Sequence, residues 1–173
     1  MNIKKILTGF SALVLMLGIL VSPTFAAKPF TQTLNGGGQI VEGEYNVSFG
    51  GNVKNLGNSL KGQFQANFHN VSDEDVSGGR FHSTEITDAT WFEGAGNCEA
   101  AMNVTMTGRF NGEADYELVV RAGNDEDTLR LTLSDPTNTV VYDTFVSGDF
   151  PGESNCVGTA RTGVDSGDLK INL

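Results

Sequence analysis

An alternation of apolar and polar residues with a period of two is the feature that most constrains the fold of this chain. In the segment SLKGQFQANFHN (59–70), every second residue from Leu60 to Phe68 is apolar or glycine, and the residues between them are polar. Because successive side chains of a β-strand point to opposite faces of a sheet, this pattern predicts a strand with one buried face. The same alternation recurs in the segments 98–106, 116–120, 129–133 and 169–171.

Segments rich in Gly, Asn, Asp and Ser separate the alternating runs and predict turns. The strongest of these signals is Asn111-Gly112, a dipeptide that favours a two-residue β-hairpin loop. Nowhere do apolar residues recur at helical spacing for long enough to predict a helix in the alternating region. Strands separated by turns at intervals of about 8–12 residues predict an all-β fold, either an antiparallel sandwich or an up-and-down barrel of about nine or ten strands.

The triple glycine at 36–38 invites comparison with a phosphate-binding loop. Such a loop leads into a helix whose N-terminus faces the anion, whereas a strand pattern follows here. The motif therefore predicts a bulge or a bend in the first strand.

The N-terminal segment predicts export. A short basic start, MNIKK, is followed by an uncharged apolar run from Ile6 to Val21 and then by the small residues that a signal peptidase requires. This pattern predicts a signal peptide over residues 1–26, of a bacterial style, and a single all-β domain over residues 27–173. The alternative, a retained membrane anchor, is disfavoured because the run is shorter than the roughly 20 apolar residues that span a bilayer.

The charge balance bears on the class of partner. The formal net charge is −10, and it becomes −12 without the signal segment, which holds two lysines and no acids. Nucleic acids and anionic membrane surfaces need clustered Lys and Arg, so neither is an expected partner. The remainder of the chain has no second apolar stretch that could span a membrane.

Two cysteines, Cys98 and Cys156, are present in the whole chain. In an exported protein they predict a structural disulfide. The alternative is a reactive thiol or a metal ligand. A nucleophilic thiol needs a positioned base, and a zinc site needs further ligands at close spacing, and the sequence shows neither.

Three consecutive acids interrupt the alternation in ELVVRAGNDEDTLRLTL (117–133). They follow the turn residues of 122–124, so we expect them at the solvated tip of a hairpin. The alternative is a calcium site with Asp125 and Asp127 as ligands. Calcium needs roughly six to eight oxygens, and adjacent acids on a short loop point in different directions. No other cofactor is expected.

Histidine and aromatic side chains supply the remaining candidate sites. His69 and His82 are the two histidines, and Glu85 could join them as a metal ligand, but both lie in ordinary strand patterns. The alternation does not fix the direction of His82. This residue falls on the same side of the strand as the apolar Ile86 and on the opposite side from the apolar Phe81, so the two neighbours give conflicting predictions. Trp91 and Phe92 are adjacent, so one faces inward and the other outward, where an aromatic ring could stack on a sugar.

The order of several motifs resembles a known family. LNGGGQI (34–40), SFGGNVKN (48–55), the strand at 59–70, GRFNGEADYELVVRAGNDEDTLRLTL (108–133) and SGDLKINL (166–173) are similar to the post-choice-of-anchor type of bacterial exported domain. The chain departs from it in its two cysteines and in a long insertion before the last strand. The resemblance implies an all-β fold and an exported setting, and it implies no catalytic residues.

These observations predict a secreted, non-catalytic β-domain that works outside the cell or at its surface, as a binding or structural module. Its expected partner is an extracellular polymer, a protein or a small ligand. The alternative is a carrier of a lipid or sugar in a hollow barrel lumen. A hydrolase acting through unidentified acids is a third, weaker possibility. In the carrier, the hollow lumen would be lined by Phe64, Phe68, Met102, Met106, Leu118 and Leu131.

Overall fold

The structure, a computed structural model, describes residues 31–42, 45–69, 78–93, 100–123, 128–144 and 162–173. These residues contain ten β-strands and no helix, which confirms the all-β prediction. The strands are β1 (Gln32–Glu42), β2 (Tyr45–Asn55), β3 (Leu60–His69), β4 (Gly79–Glu93), β5 (Ala100–Phe110), β6 (Glu113–Gly123), β7 (Thr128–Ser134), β8 (Val140–Asp143), β9 (Thr162–Gly163) and β10 (Ser166–Asn172).

All the strands belong to one antiparallel sheet that curls into a half-barrel. Strands β1 to β8 lie side by side in chain order, and β10 pairs with the free edge of β1. Strand β9 pairs with β7 through Thr128 and Leu129. Only Val164 and Asp165 separate β9 from β10. One short segment of chain therefore pairs with β7 through β9 and with β1 through β10.

The concave side of the sheet holds a single hydrophobic core. Alternation along the strands decides which side chains enter it. The inward residues predicted for β3, β5, β6, β7 and β10 are buried or half-buried wherever the structure describes them, except Gly62, which is exposed. The largest fully buried side chains are Phe64, Phe81, Leu34, Ile40, Met102, Met106, Leu118, Leu129, Leu131, Leu133 and Val47.

Two β-bulges in β4 settle the direction of His82. The register against β5 shifts between Ser83 and Glu85 and again between Ile86 and Asp88. Each bulge inserts one residue, and an odd insertion moves all later side chains to the other face. Phe81 and Ile86 are therefore both buried although their parity differs, and His82 is exposed on the outer face.

The first bulge is stabilised by a buried hydroxyl. Ser83 is 6% exposed, and its Oγ accepts a hydrogen bond from the backbone N–H of Phe64 at 2.8 Å. The β3–β4 backbone pairing ends just before this point, at Gln65 and His82. The Ser83 hydroxyl thus replaces the carbonyl that the next ladder position would have supplied.

We expect Ser83→Ala to lower the free energy of unfolding by about 1–3 kcal/mol, because it leaves a buried N–H without an acceptor. Urea denaturation would measure the loss, and faster hydrogen exchange at the Phe64 amide would localise it. The matched control is Thr84→Ala, which removes an exposed hydroxyl whose 3.3 Å hydrogen bond to the Thr107 carbonyl water can replace. Equal stability of the two variants would contradict this role for Ser83.

The hairpin predicted at Asn111-Gly112 is confirmed. Both residues have positive φ, 52° and 92°, as a type I′ turn requires. The register between β5 and β6 then shifts near Gly108, and Asp115 adopts a φ of 65°. This bulge restores the inward direction of the β6 side chains that follow it.

The triple glycine does not form a bulge, because its register with both β2 and β10 is continuous. A Cβ at Gly36 would lie 2.3 Å from the carbonyl oxygen of Asp168 in β10, and one at Gly38 would lie 2.3 Å from that of Ser166. The glycines therefore permit close approach between the backbones of β1 and β10.

Candidate functional site

An open groove of about 420 Å³ lies over β2 and β3 on the outer face of the sheet. Gly50 forms its floor, and the Cα partner of Gly50 in β1 is Gly37, so neighbouring outward positions on two strands lack side chains. A Cβ at Gly50 would meet nothing closer than 3.9 Å, so the space above it is free. The lining residues are Ser48, Phe49, Gly50, Gly51, Asn52, Gln63, Gln65 and Asn67.

Amide side chains form the walls of the groove. The strand register sets Asn52 beside Gln63, Gly50 beside Gln65 and Ser48 beside Asn67. An Asn or Gln side chain both donates and accepts hydrogen bonds without carrying charge. The lining contains no ionisable side chain, although the chain as a whole has a net charge of −10.

Hydrogen bonds orient the polar groups at the end of the groove near Ser48. Ser48 Oγ lies 3.1 Å from His69 Nε2, and the side-chain amide of Asn67 donates to Ser48 Oγ at 3.4 Å. Arg80 Nη2 donates to Gln65 Oε1 at 2.6 Å. These contacts restrict the orientations of the Ser48, Gln65 and Asn67 side chains.

The Ser48–His69 contact resembles one half of a nucleophile–base pair. A serine triad also needs a group that orients the imidazole and donors that stabilise an oxyanion. Within the residues that the structure describes, no carboxylate hydrogen-bonds to His69, and this histidine is exposed at the end of β3. Within the described residues, the geometry therefore sets a hydroxyl beside an imidazole and shows no third member of a triad.

Trp91 and Phe92 face opposite sides of β4, as the sequence predicts for adjacent residues of a strand. Trp91 is half-buried against the core, and its indole N–H is buried with no acceptor in the described part of the chain. Phe92 packs against Ala101 on the other face. The two rings therefore do not form a common surface, and neither lines the groove.

The remaining predicted residues are not brought together into a site. His69 and His82 are both exposed, and His82 has Gln65 and Arg109 as its Cα partners. The described residues contain no group of three or more His, Cys, Asp or Glu side chains that could hold a metal ion. The signal segment 1–26 and the residues Cys98, Cys156, Asp125 and Asp127 lie outside the described residues.

A second polar cluster lies on the outer face of β6, β7 and β8. Arg130 forms an ion pair with Asp143, with a 2.8 Å bond from Nε, and this hydrogen bonding raises the pKa of Arg130. Burial, and then the charge of Arg130, lower the pKa of Arg121, which is the Cα partner of Arg130. Arg121 Nη1 also donates to Thr132 Oγ1 at 3.3 Å, so side-chain hydrogen bonds join β6 to β7 and β7 to β8.

The groove residues were not predicted as a site from the sequence. A usable signal was present, because two segments predicted as strands carry hydroxyls and amides at alternating positions, namely Ser48, Asn52, Gln63, Gln65 and Asn67. The missing information was the register, which sets Gly37 and Gly50 side by side and so opens the space between the amides.

The sequence matches no protein-family model. No curated protein and no solved structure matches the chain either. The resemblance to the post-choice-of-anchor type therefore stays a prediction that rests on the order of its motifs. In the part of the chain that the structure describes, no helix has the length and hydrophobicity needed to cross a bilayer.

Proposed function

We propose that this chain is an exported, non-catalytic binding module whose groove over β2 and β3 binds a hydroxyl-rich polymer, a glycan, outside the cell. The observation that carries the proposal is a groove walled by uncharged amides on a strongly acidic chain. Export itself rests on the predicted signal peptide over residues 1–26.

The chemistry of the groove matches that of a sugar. Each sugar hydroxyl both donates and accepts a hydrogen bond, as each amide side chain does. Amides at Asn52, Gln63 and Gln65 stand on two paired strands, so their spacing is set by the sheet. A binding surface that is already ordered loses little conformational entropy when it binds.

The filled interior favours this module over a small-ligand carrier. The six side chains expected to line a hollow lumen are at most 2% exposed and belong to one core cluster. A cavity large enough for water would leave accessible area on the side chains around it. The burial of these six side chains supports a binding surface on the outer face over a carrier with a hollow lumen.

We infer that the curled sheet is an eight-stranded barrel. Strands β1 to β7 form seven of its strands, and the short strands β8, β9 and β10 together take the place of the eighth. Strands β8 and β9 both pair with the same edge of β7, one after the other. Strand β10 continues in the same direction and pairs with β1. Asp165 supports this arrangement, because its N–H donates to the carbonyl of Gln39 at 2.9 Å and its Oδ2 accepts from Val41 N–H.

We expect Gly50→Ile to reduce glycan binding at least about tenfold, because the new side chain fills the floor of the groove while the space above Gly50 lets the sheet fold. The measurement is a glycan array with the purified protein, followed by titration of the best glycan. Thr105→Ile, on the outer face of β5, is the matched control and is expected to bind normally. An array without any bound glycan, or equal binding by the two variants, would overturn the proposal.

A further inference from the structure

Two lysines stand side by side at the end of the groove opposite Ser48. Lys54 and Lys61 are Cα partners on β2 and β3, and both are exposed. Each lies two residues beyond a groove amide on the same face of its strand, Lys54 after Asn52 and Lys61 before Gln63. The polar row of the groove therefore continues directly into a pair of positive charges.

Like charges on directly opposite residues destabilise a pair of strands. Within the described residues, neither lysine forms an ion pair, whereas Lys170 of β10 is paired with Asp168 at 2.9 Å. The described outward side chains of β1, β2 and β3 include these two lysines and no carboxylate, on a chain whose net charge is −10. The nearest described carboxylate on β10, Asp168, is the Cα partner of Gly37 and is paired with Lys170. The end of the groove at Lys54 and Lys61 therefore carries positive charge, although the net charge of the chain is negative.

We propose that the glycan bound by the groove is acidic, and that one of its carboxylate groups binds between Lys54 and Lys61 while its hydroxyls contact the amides. This inference rests on the proposed function and names the class of glycan. An anion shared by two ammonium groups removes their mutual repulsion and gains two charge-assisted hydrogen bonds. A nucleic acid fits less well, because the groove has no exposed aromatic ring on which bases could stack.

The test compares acidic polysaccharides with their own methyl esters, which keep the backbone and lose the charge. Alginate, polygalacturonate and hyaluronate are titrated in both forms into the purified protein at low and physiological salt. We expect at least one polysaccharide to bind in both forms, with the acid binding about tenfold more tightly at low salt and losing much of this advantage as salt is added.

The double variant Lys54→Gln/Lys61→Gln is expected to bind the acid and the ester equally, with unchanged affinity for the ester. The control is Arg109→Gln, which removes an exposed positive charge from β5, beyond β4 from the groove strands, and should keep the preference for the acid. Gly50→Ile should weaken binding of both forms.

The other possible outcomes distinguish failure of the acidic-glycan inference from failure of the proposed glycan groove. Equal binding of acid and ester by the unchanged protein, with Gly50→Ile still blocking both, overturns the acidic glycan and leaves the glycan groove standing. Failure of all three polysaccharides in both forms overturns this inference. Binding of the acid that ignores Gly50→Ile, or tighter binding of single-stranded DNA, also overturns it, since either shows attraction to charge without recognition of a sugar.

Discussion

Phe64→Ala is expected to lower the free energy of unfolding by about 3–5 kcal/mol, the usual cost of removing a large aromatic ring from a filled core. Phe64 is 1% exposed, and its ring stacks on Phe49 at a centroid distance of 6.1 Å. Its Cα partner is Gly51, where an added Cβ would lie 2.6 Å from Cδ2 of the ring. Backbone and side chains therefore enclose the ring, and little can move in to fill the space that alanine leaves.

Urea denaturation gives the loss directly, and a fall in the melting temperature on the order of 10 °C should accompany it. The matched control is Gln63→Ala, one residue away on the outer face, which is expected to change stability by about 0.5 kcal/mol or less. Phe64→Leu should fall between the two. A loss below about 1 kcal/mol in Phe64→Ala would mean that the interior around this ring is loosely filled, and the carrier hypothesis would regain support.

Alternation in the sequence was sufficient to predict which side chains enter the core. The prediction succeeded on β5, on β7 and on β3 from Phe64 onward. In these stretches one face is buried, the other is in contact with solvent, and no inserted residue reverses the alternation. The turn at Asn111-Gly112 was predictable for a similarly local reason, since its dipeptide favours positive φ at both positions.

Strand β4 shows where local patterns fail. Its two bulges insert Thr84 and Thr87, whose hydroxyls donate to the carbonyls of Thr107 and Thr105. The sequence of β4 alone does not indicate where the extra residues lie, because a bulge is defined by the pairing of β4 with β5. The parity of Phe81 and Ile86 therefore looked contradictory in the sequence although both residues are buried.

The groove could not be predicted for a related reason. Asn52 and Gln65 are separated along the chain by the β2–β3 turn, and their proximity depends on a register that a shift of one residue would destroy. The sequence interpretation instead favoured Trp91 and Phe92 because aromatic rings are a familiar sign of sugar binding. Phe92 lies on the outer face of β4, partly buried against Ala101, whereas Trp91 packs against the core.

Gly62→Ala is expected to lower the free energy of unfolding by roughly 3 kcal/mol or more, from two separate causes. Gly62 has a φ of +142°, a conformation that residues with a Cβ rarely adopt, and forcing one into it costs about 1–3 kcal/mol. An alanine Cβ would also lie 2.0 Å from the carbonyl oxygen of Asn52 and 2.9 Å from the Cα of Val53. Since these are backbone atoms of the paired strand, no change of rotamer can relieve the contact.

Gly57→Ala separates the two causes. Gly57 has a φ of +84° but no atom within 4 Å of the added Cβ, so this variant should lose only the roughly 1–2 kcal/mol of a strained backbone. The difference between the variants, measured by urea denaturation, is the cost of pushing β3 away from β2. Because Gly62 lies between Lys61 and Gln63, Gly62→Ala should also weaken glycan binding, whereas Gly57→Ala should not. Equal losses of stability would contradict the close approach of the two strands beside the groove.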